Sequence, residues 1–446
     1  MKKIILNEKG RTTTANESAV PSNLIDPTTG LYTFSHHMPE LHHILTTQKA
    51  LGMFYIDASE LGKIEYDYGH EIYSKILQDV VNAINDLKGS LIRNDDILTI
   101  RHIHDELFLL FLSSHRPEYQ NFLKIENLRT IMQRFLHALN AQIFKITFPF
   151  TKKILKVDIG YAYAVHNPLL STERTVYRLM DQAKSSAAIN GERFIVEITE
   201  NLKEIIMDEN LQTHYQPIVS LNDGSIFAYE ALSRGPRGTP MESPLMLFGV
   251  ADKANLSFEL DRLCRKKAIQ NVVGLAPHQK LFVNVFPTTL HDPEFKGDNL
   301  QQLLNSSNLS GENIVFEITE RVAIENYGIF QKEQEYYERL GFHLAVDDIG
   351  TGYGSLEAIA NLRPKFVKID ISLIRDIDKS TVKQELLKAI CDIGKKVNAQ
   401  VLAEGIETQN ELDAVRAMRV DYAQGYLLAK PAPDLLAKDK KFKLTA

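Results

Sequence analysis

Cysteine is scarce: Cys264 and Cys391 are the two in 446 residues, each within a helix-like pattern. That leaves no disulfide framework and no Cys-x-x-Cys metal site, and it fits a reducing compartment. Positive charge is not in surplus either, since 51 basic against 57 acidic residues give a net charge of -6. Gripping a nucleic-acid polymer therefore has no electrostatic support, although a small phosphate ligand needs only local cations or metals. No run reaches the roughly 18 apolar residues of a membrane span. The apolar run in "MKKIILNEKGR" is too short for a signal peptide, so a cytoplasmic protein is expected. No Ser/His/Asp constellation and no low-complexity segment is visible. What remains is an ordinary globular composition, 44% hydrophobic and 24% charged.

Two or three domains fit this length. Residues 1–20 are polar and read as a flexible tail. From 21 to 198, strand-like and helix-like runs alternate. "LGMFYIDAS" reads as a strand, "EIYSKILQDVVNAINDL" as an amphipathic helix, and "ILTIRHIHDELFLLFL" as a hairpin turning at His102 to Asp105. "VYRLMDQAKSSAAI" reads as a helix and "ERFIVEIT" as a closing strand, giving an α/β sandwich with one sheet. Residues 199–210 read as a helical connector. From 211 to 438, strand-helix units repeat. The predicted strands are "IFAYE", "LFVNV", "IVFEI", "HLAVD", "FVKID", "QVLAE" and "YLLA", the pattern of a β/α barrel. Residues 439–446, lysine-rich, read as a solvated C-terminal tail.

The chemistry stands at the ends of those strands. They carry Glu230, Asn284, Glu317, Asp347 with Asp348, Lys368 with Asp370, and Glu404, with Gln424 just before "GYLLA". Strand ends converge on one face of a β/α barrel. One acid there is an ordinary cap, but this many close carboxylates do not all stay ionised without cations. Oxygen-only donors suit Mg²⁺ or Mn²⁺. Two such ions ~3.5–4 Å apart can clamp a phosphodiester and activate a water.

These residues sit in segments that resemble EAL-domain cyclic di-GMP phosphodiesterases. "YEALSRGP" looks like the name-giving motif, and "HYQPIVSL", "FVNV", "FEITE", "DDIGTGYGSL", "KIDISLI", "AEGIET" and "QGYLLAKP" follow in the family's order. The resemblance covers 211 to 435. It implies a modified TIM barrel that hydrolyses cyclic di-GMP to linear pGpG with two Mg²⁺ or Mn²⁺, as a homodimer through this domain. Carried over position by position, Glu230, Asn284, Glu317, Asp347, Asp348 and Glu404 are metal ligands, Glu404 completing the site. Lys368 orients the attacking water and stabilises phosphate charge. Gln424 holds a water near the metals, and Glu320 anchors the loop after Asp348. Gln216 and Arg234 contact the ligand. Asp370 is a further candidate there, with a structural role preferred. The loop departs from the family pattern at Ile349, in place of Phe, and at Gly354, in place of Ser.

Residues 21–198 resemble a diverged GGDEF domain, the diguanylate cyclase fold. "DPTTGLYTF", "FYIDASELGKIEYDYGHEIY" and "RHIHDELFLLFL" occupy its motif positions. The chemistry is depleted: Ile103 and His104 replace the turn glycines, Glu65 and Tyr66 the guanine-reading pair, and Ala188 the phosphate-contacting lysine. Asp57, Asp105 and Glu106 remain. An R-x-x-D sequence, Arg93 to Asp96, is one residue out of register with the turn. The resemblance implies an inactive domain with a regulatory or dimerising role, with GTP or another nucleotide as a candidate ligand. The histidines of "SHHMPELHHIL" do not hold a clean helical i, i+4 spacing from His37 to His42 and read as exposed. A non-catalytic cyclic di-GMP receptor and a signalling scaffold stay open as alternatives.

Overall fold

The computed structural model describes residues 5–6, 12–13, 24–112, 125–148, 150–151, 155–286, 291–319, 327–350, 355–437 and 440–444. The chain divides into two compact units, 1–199 and 200–446. Most of the tail predicted at 1–20 lies outside the described residues, as do Glu320 and Gly354. No described helix is long and apolar enough to cross a membrane.

In the first unit, β1 (Ala50–Asp57), β2 (Ile97–Ile100), β3 (Leu107–Leu112) and β4 (Asp158–Val165) form an antiparallel sheet in the order β2-β3-β1-β4. β3, "LFLLFL", is buried at every position, which is why it reads as a continuous apolar run rather than an alternating one. Helices α1 (Met38–Gln48), α2 (Gly62–Tyr68), α3 (His70–Asp86), α4 (Ile125–Thr147) and α5 (Thr172–Met207) accompany it. In α3, Tyr73, Ile76, Leu77, Val80, Val81 and Ile84 are buried at helical spacing. The predicted closing strand "ERFIVEIT" is instead part of α5. Phe194 and Ile198, four apart, are buried while Val196 between them is exposed, so burial follows the helical period and not alternation. The predicted connector is likewise no separate element, because α5 runs unbroken to Met207.

The second unit is a closed barrel of β5 (Gln212–Ser220), β6 (Ile226–Arg234), β7 (Lys280–Asn284), β8 (Ile314–Thr319), β9 (His343–Ile349), β10 (Phe366–Ile369), β11 (Gln400–Ala403) and β12 (Tyr422–Ala423). Neighbours pair in parallel, except that β5 runs antiparallel to both β6 and β12. The helices are α6 (Pro244–Ala254), α7 (Ser257–Gln270), α8 (Gly297–Ser306), α9 (Tyr327–Arg339), α10 (Ser355–Leu362), α11 (Ile371–Ile374), α12 (Thr381–Val397) and α13 (Gln409–Ala417). α13 begins at a capping box of Thr408 and Glu411, which satisfies N–H groups the helix itself cannot.

Two readings change here. "YLLA" is a turn, with Leu428 and Ala429 N–H donating to the Gly425 carbonyl, each at 3.1 Å. The last strand ends at Ala423, and Gly425 lies so close to the Ile406 backbone that a Cβ would meet its oxygen at 2.1 Å. The supposed solvated tail also packs. Phe442 N–H donates to Gly224 O at 2.8 Å, and Phe442 and Leu444 lie against the barrel's hydrophobic core.

The barrel interior explains where the site lies. Ile218, Ala228, Phe282, Val315, Ala345, Phe366, Leu402 and Tyr422 form one buried cluster, with one residue from each strand. Strand side chains alternate with a period of two, so the residue two places on faces the same interior. Two places on stand Glu230, Asn284, Glu317, Asp347, Lys368, Glu404 and Gln424; on antiparallel β5 the corresponding residue is Gln216, two places earlier.

Candidate active site

Those eight residues form a polar layer on top of an apolar one, and Lys368 is the cation within it. Its Nζ lies 2.7 Å from Glu404 Oε1, 2.8 Å from Glu317 Oε1, 3.2 Å from Asp347 Oδ2 and 3.5 Å from Glu230 Oε1. Gln424 Nε2 donates to Glu230 Oε2 at 2.7 Å and to Gln216 Oε1 at 3.0 Å, while Gln216 Nε2 donates to Ala429 O at 3.0 Å. Asn284, exposed, makes one long contact, Nδ2 to Glu230 Oε1 at 3.4 Å.

Burial pushes the Glu317 and Glu404 carboxyls well above the usual carboxylate range, and their mutual repulsion with Glu230 and Asp347 adds to it. Burial alone would lower Lys368, but the carboxylates of Asp347, Glu230, Glu317 and Glu404 outweigh it and hold the ammonium well above its ordinary value. Four carboxylates against one ammonium leave an excess of three negative charges if all four are ionised.

The adjacent acids of β9 are separated by backbone geometry. Asp347 faces the interior, and the pairing of β9 with β10 shifts register between Val346 and Ile349. Asp348 takes a left-handed conformation, φ 60°, and its N–H donates to Asp347 Oδ1 at 2.8 Å. Aspartate adopts this conformation more readily than most residues. The bulge re-aims the second acid, as bulges beside functional sites do.

Glu317 Oε2 has no hydrogen-bond partner among the described residues, while Oε1 meets the Lys368 ammonium at 2.8 Å in a buried setting. A buried carboxylate oxygen without a partner, four acids crowded on one ammonium and an oxygen-only donor set fit a hard divalent cation. Among the described residues, no three His, Cys, Asp or Glu side chains stand ready as a metal-holding group. The acids turn toward Lys368.

Arg234, at the end of β6, lines a cleft of about 270 Å³ together with Asn284, Glu317, Phe248 and Phe286. Burial lowers its guanidinium, opposed by Tyr426, Glu230 and Glu242. Asp370 accepts the Ser372 N–H at 2.8 Å and caps α11, in keeping with the structural role preferred for it. The sequence reading overlooked β5 as a strand and the buried ionic cluster of Asp261, Arg265 and Asp292. The alternation in "HYQPIVS" was the available signal for β5; nothing local marks the cluster.

In the first unit the retained acids are held by local partners. Arg101 Nε lies 2.7 Å from Asp105 Oδ2, Tyr73 OH donates to Glu106, and Asp57 Oδ1 accepts the Ser59 N–H at 3.0 Å. The glycine-like conformation of the turn falls on His104, φ 58°, whose N–H donates to buried Asp26 at 2.8 Å. Tyr66 and Ala188 are exposed. Asp96 of the R-x-x-D sequence is buried and accepts the Arg93 N–H at 2.8 Å. His42 and His43 are exposed, while His36 and His37 are half-buried.

Residues 199–431 match the EAL domain family. A cyclic di-GMP phosphodiesterase of Pseudomonas aeruginosa, NbdA, is 26% identical over 396 residues, covering 86% of this chain and 49% of that protein. PdeR of Escherichia coli, also a cyclic di-GMP phosphodiesterase, is 27% identical over 408 residues, covering 86% of this chain and 58% of that protein. This chain thus spans about half the length of these curated relatives. Among solved structures, the FimX EAL domain of Xanthomonas citri, in complex with c-diGMP, shares the fold with a TM-score of 0.51 at 23% identity, over 57% of this chain and 99% of that one. With more than half its residues matched, and a closed barrel carrying a polar layer at its strand ends, the chain belongs to the EAL domain family.

Proposed function

We propose that this protein hydrolyses cyclic di-GMP to linear pGpG at the mouth of the barrel. The observation that carries the reading is the ring of one polar residue per strand around Lys368, with four carboxylates within 3.5 Å of its Nζ. The names of the curated relatives supply the substrate. Phosphodiesterases of this family are divalent-metal dependent. Here Glu230, Asn284, Glu317, Asp347, Asp348 and Glu404 would hold two Mg²⁺ or Mn²⁺ ions. When bound, these supply Lewis acidity toward the phosphate and toward the attacking water.

The chain's own groups do the rest. Lys368, kept charged by its carboxylates, orients the water and stabilises the negative charge that builds on the phosphate. Gln424, fixed by Gln216 and Glu230, holds a water beside the acids. Arg234 pairs with a phosphate at the cleft. The water oxygen bonds to phosphorus and gives up a proton, the P–O3′ bond breaks, and a proton passes to the departing 3′ oxygen, so that one water is added overall. Glu320 is assigned the anchoring of the loop after Asp348, and Asp370 the support of the strand end through its cap. The first unit acts as an inactive, regulatory or dimerising domain, with a nucleotide such as GTP as its candidate ligand, and the second unit forms the homodimer contact.

A second reading is a receptor that binds without turnover. Purified protein incubated with cyclic di-GMP and Mn²⁺ separates the two. Accumulation of pGpG is expected. Tight binding with no pGpG selects the receptor, and no binding leaves a scaffold. Repeating the assay with GTP tests the regulatory role.

A further inference from the structure

Beneath the cleft lies a buried ionic cluster that the catalytic reading leaves without a role. Asp261 and Arg265, both on α7, pair at 2.8 Å through Oδ2 and Nε. Arg265 Nη2 reaches Asp292 Oδ2 at 3.2 Å, and Arg262 grips the same carboxylate with two bonds, Nε to Oδ2 at 2.8 Å and Nη2 to Oδ1 at 2.9 Å. Arg265 and Asp292 are wholly buried, and the Arg265 guanidinium stacks 3.9 Å over the Phe295 ring. Exposed Glu294 also reaches Arg262 Nη1 at 3.3 Å, so three acids meet two guanidiniums.

Such a cluster is weak evidence of stabilisation, because apolar side chains of similar volume often do as well. It does one thing an apolar cluster cannot. Asp261 Oδ1 accepts the N–H of Phe286 at 3.3 Å, two residues beyond Asn284. On the other side of that peptide, Val285 N–H donates to Glu317 O at 2.9 Å. The backbone leaving Asn284 is therefore held between β8 and α7. Among the described residues the Asn284 side chain has a single hydrogen bond, at 3.4 Å to Glu230, so its place depends on this backbone. Asp261 also lines the cleft alongside Asn284 and Glu317.

We infer that Asp261, locked by Arg265 and through it by Asp292, is a positioning residue that sets the end of β7 so that the Asn284 amide faces the acids of the barrel mouth. The inference rests on the metal-dependent reading above. It makes Asn284 a ligand aimed from behind by a charge cluster on a neighbouring helix.

The test is Mn²⁺ binding to the full chain, read from the electron paramagnetic resonance of free Mn²⁺, for parent, Asp261→Asn, Asn284→Ala and the double variant, with thermal unfolding in parallel. Supporting groups behind metal ligands are typically worth about 10- to 100-fold in affinity. Asp261→Asn is expected to weaken binding at least about 10-fold. The double variant should be no weaker than Asn284→Ala, because both changes remove the same aim. Parental affinity in folded Asp261→Asn, or losses that multiply in the double variant, overturns the inference. If Asp261→Asn does not fold, Arg262→Gln, which loosens Asp292 from a half-exposed position, should still weaken Mn²⁺ binding and show the same non-additivity; parental affinity there overturns it equally. A parent that binds no Mn²⁺ removes this inference and the metal reading together. Parental binding with multiplying losses removes the inference alone.

Discussion

The two units handle close acids in opposite ways. In the first, each retained acid has a partner of its own: Arg101 for Asp105, Tyr73 for Glu106, the Ser59 N–H for Asp57. In the barrel, four acids share Lys368, and Glu317 Oε2 has no hydrogen-bond donor among the described residues. Burial raises the Glu106 carboxyl, and Asp105, Asp57 and Glu65 add to it, but each retained acid has its own donor. Acids that crowd one ammonium in a buried layer carry repulsion that a divalent ion relieves. The difference lies in counter-ion sharing and burial, not in the number of carboxylates.

The sharpest way to break this comparison is to remove an acid from the shared cluster. Glu230→Ala and Glu404→Ala should each reduce pGpG formation by roughly a thousandfold or more, the scale of losing a group that stabilises the transition state. Near-parental turnover in either would cancel its assigned role. The partner experiment is Glu106→Gln in the first unit, which should leave turnover within a few-fold of parent.

A smaller effect of opposite sign is expected in stability. Neutralising Glu317 relieves repulsion with Glu230, Asp347 and Glu404. Glu317→Gln should therefore raise the melting temperature of metal-free protein by roughly 2–4 °C, about 1 kcal/mol for a unit of this size. Added Mn²⁺ should stabilise the parent by binding its native state, and the variant much less. A lower melting temperature in the variant would show that the crowding costs nothing.

The smallest effect concerns Glu209, where the Lys266 and Lys267 ammoniums hold an exposed carboxyl down to about 2 from its ordinary 4.5. A depressed carboxyl contributes stability that is fully present above the unfolded value and is lost as pH falls through the folded one. Glu209→Gln should cost less than about 1 kcal/mol at neutral pH, because the pair is exposed. That difference should shrink in denaturant titrations as pH drops from 4.5 toward 2. A constant difference across that window would remove the ion pairs as its cause.

Much of the candidate site was legible because barrel strands advertise themselves. A run such as "IVFEI" is apolar until one charged residue, and alternation puts that residue on the interior beside its apolar neighbour two places back. The failures have the same root. "ERFIVEIT" offers a short apolar run that fits a strand, and only the burial of Phe194 and Ile198 with exposed Val196 reveals the helix. "YLLA" looks like a strand until Gly425 meets the Ile406 backbone. Asp370, a site candidate with a structural role preferred, accepts the Ser372 N–H, a contact set by the local turn.

The order of side-chain types along the chain, and the period of two within each strand, were enough to nominate the polar layer from Glu230 to Gln424; Gln216, on the overlooked β5, came from the family resemblance. Barrel closure alone decided that these residues, more than 200 positions apart at the extremes, meet around one lysine; Gln424 donates to Gln216 across a separation of 208 residues. It decided equally that Asp261 on α7 reaches the backbone beside Asn284. Periodicity is a property of neighbouring bonds and can be read locally. A shared counter-ion depends on distances between segments, which exist only once the strands have paired into a ring.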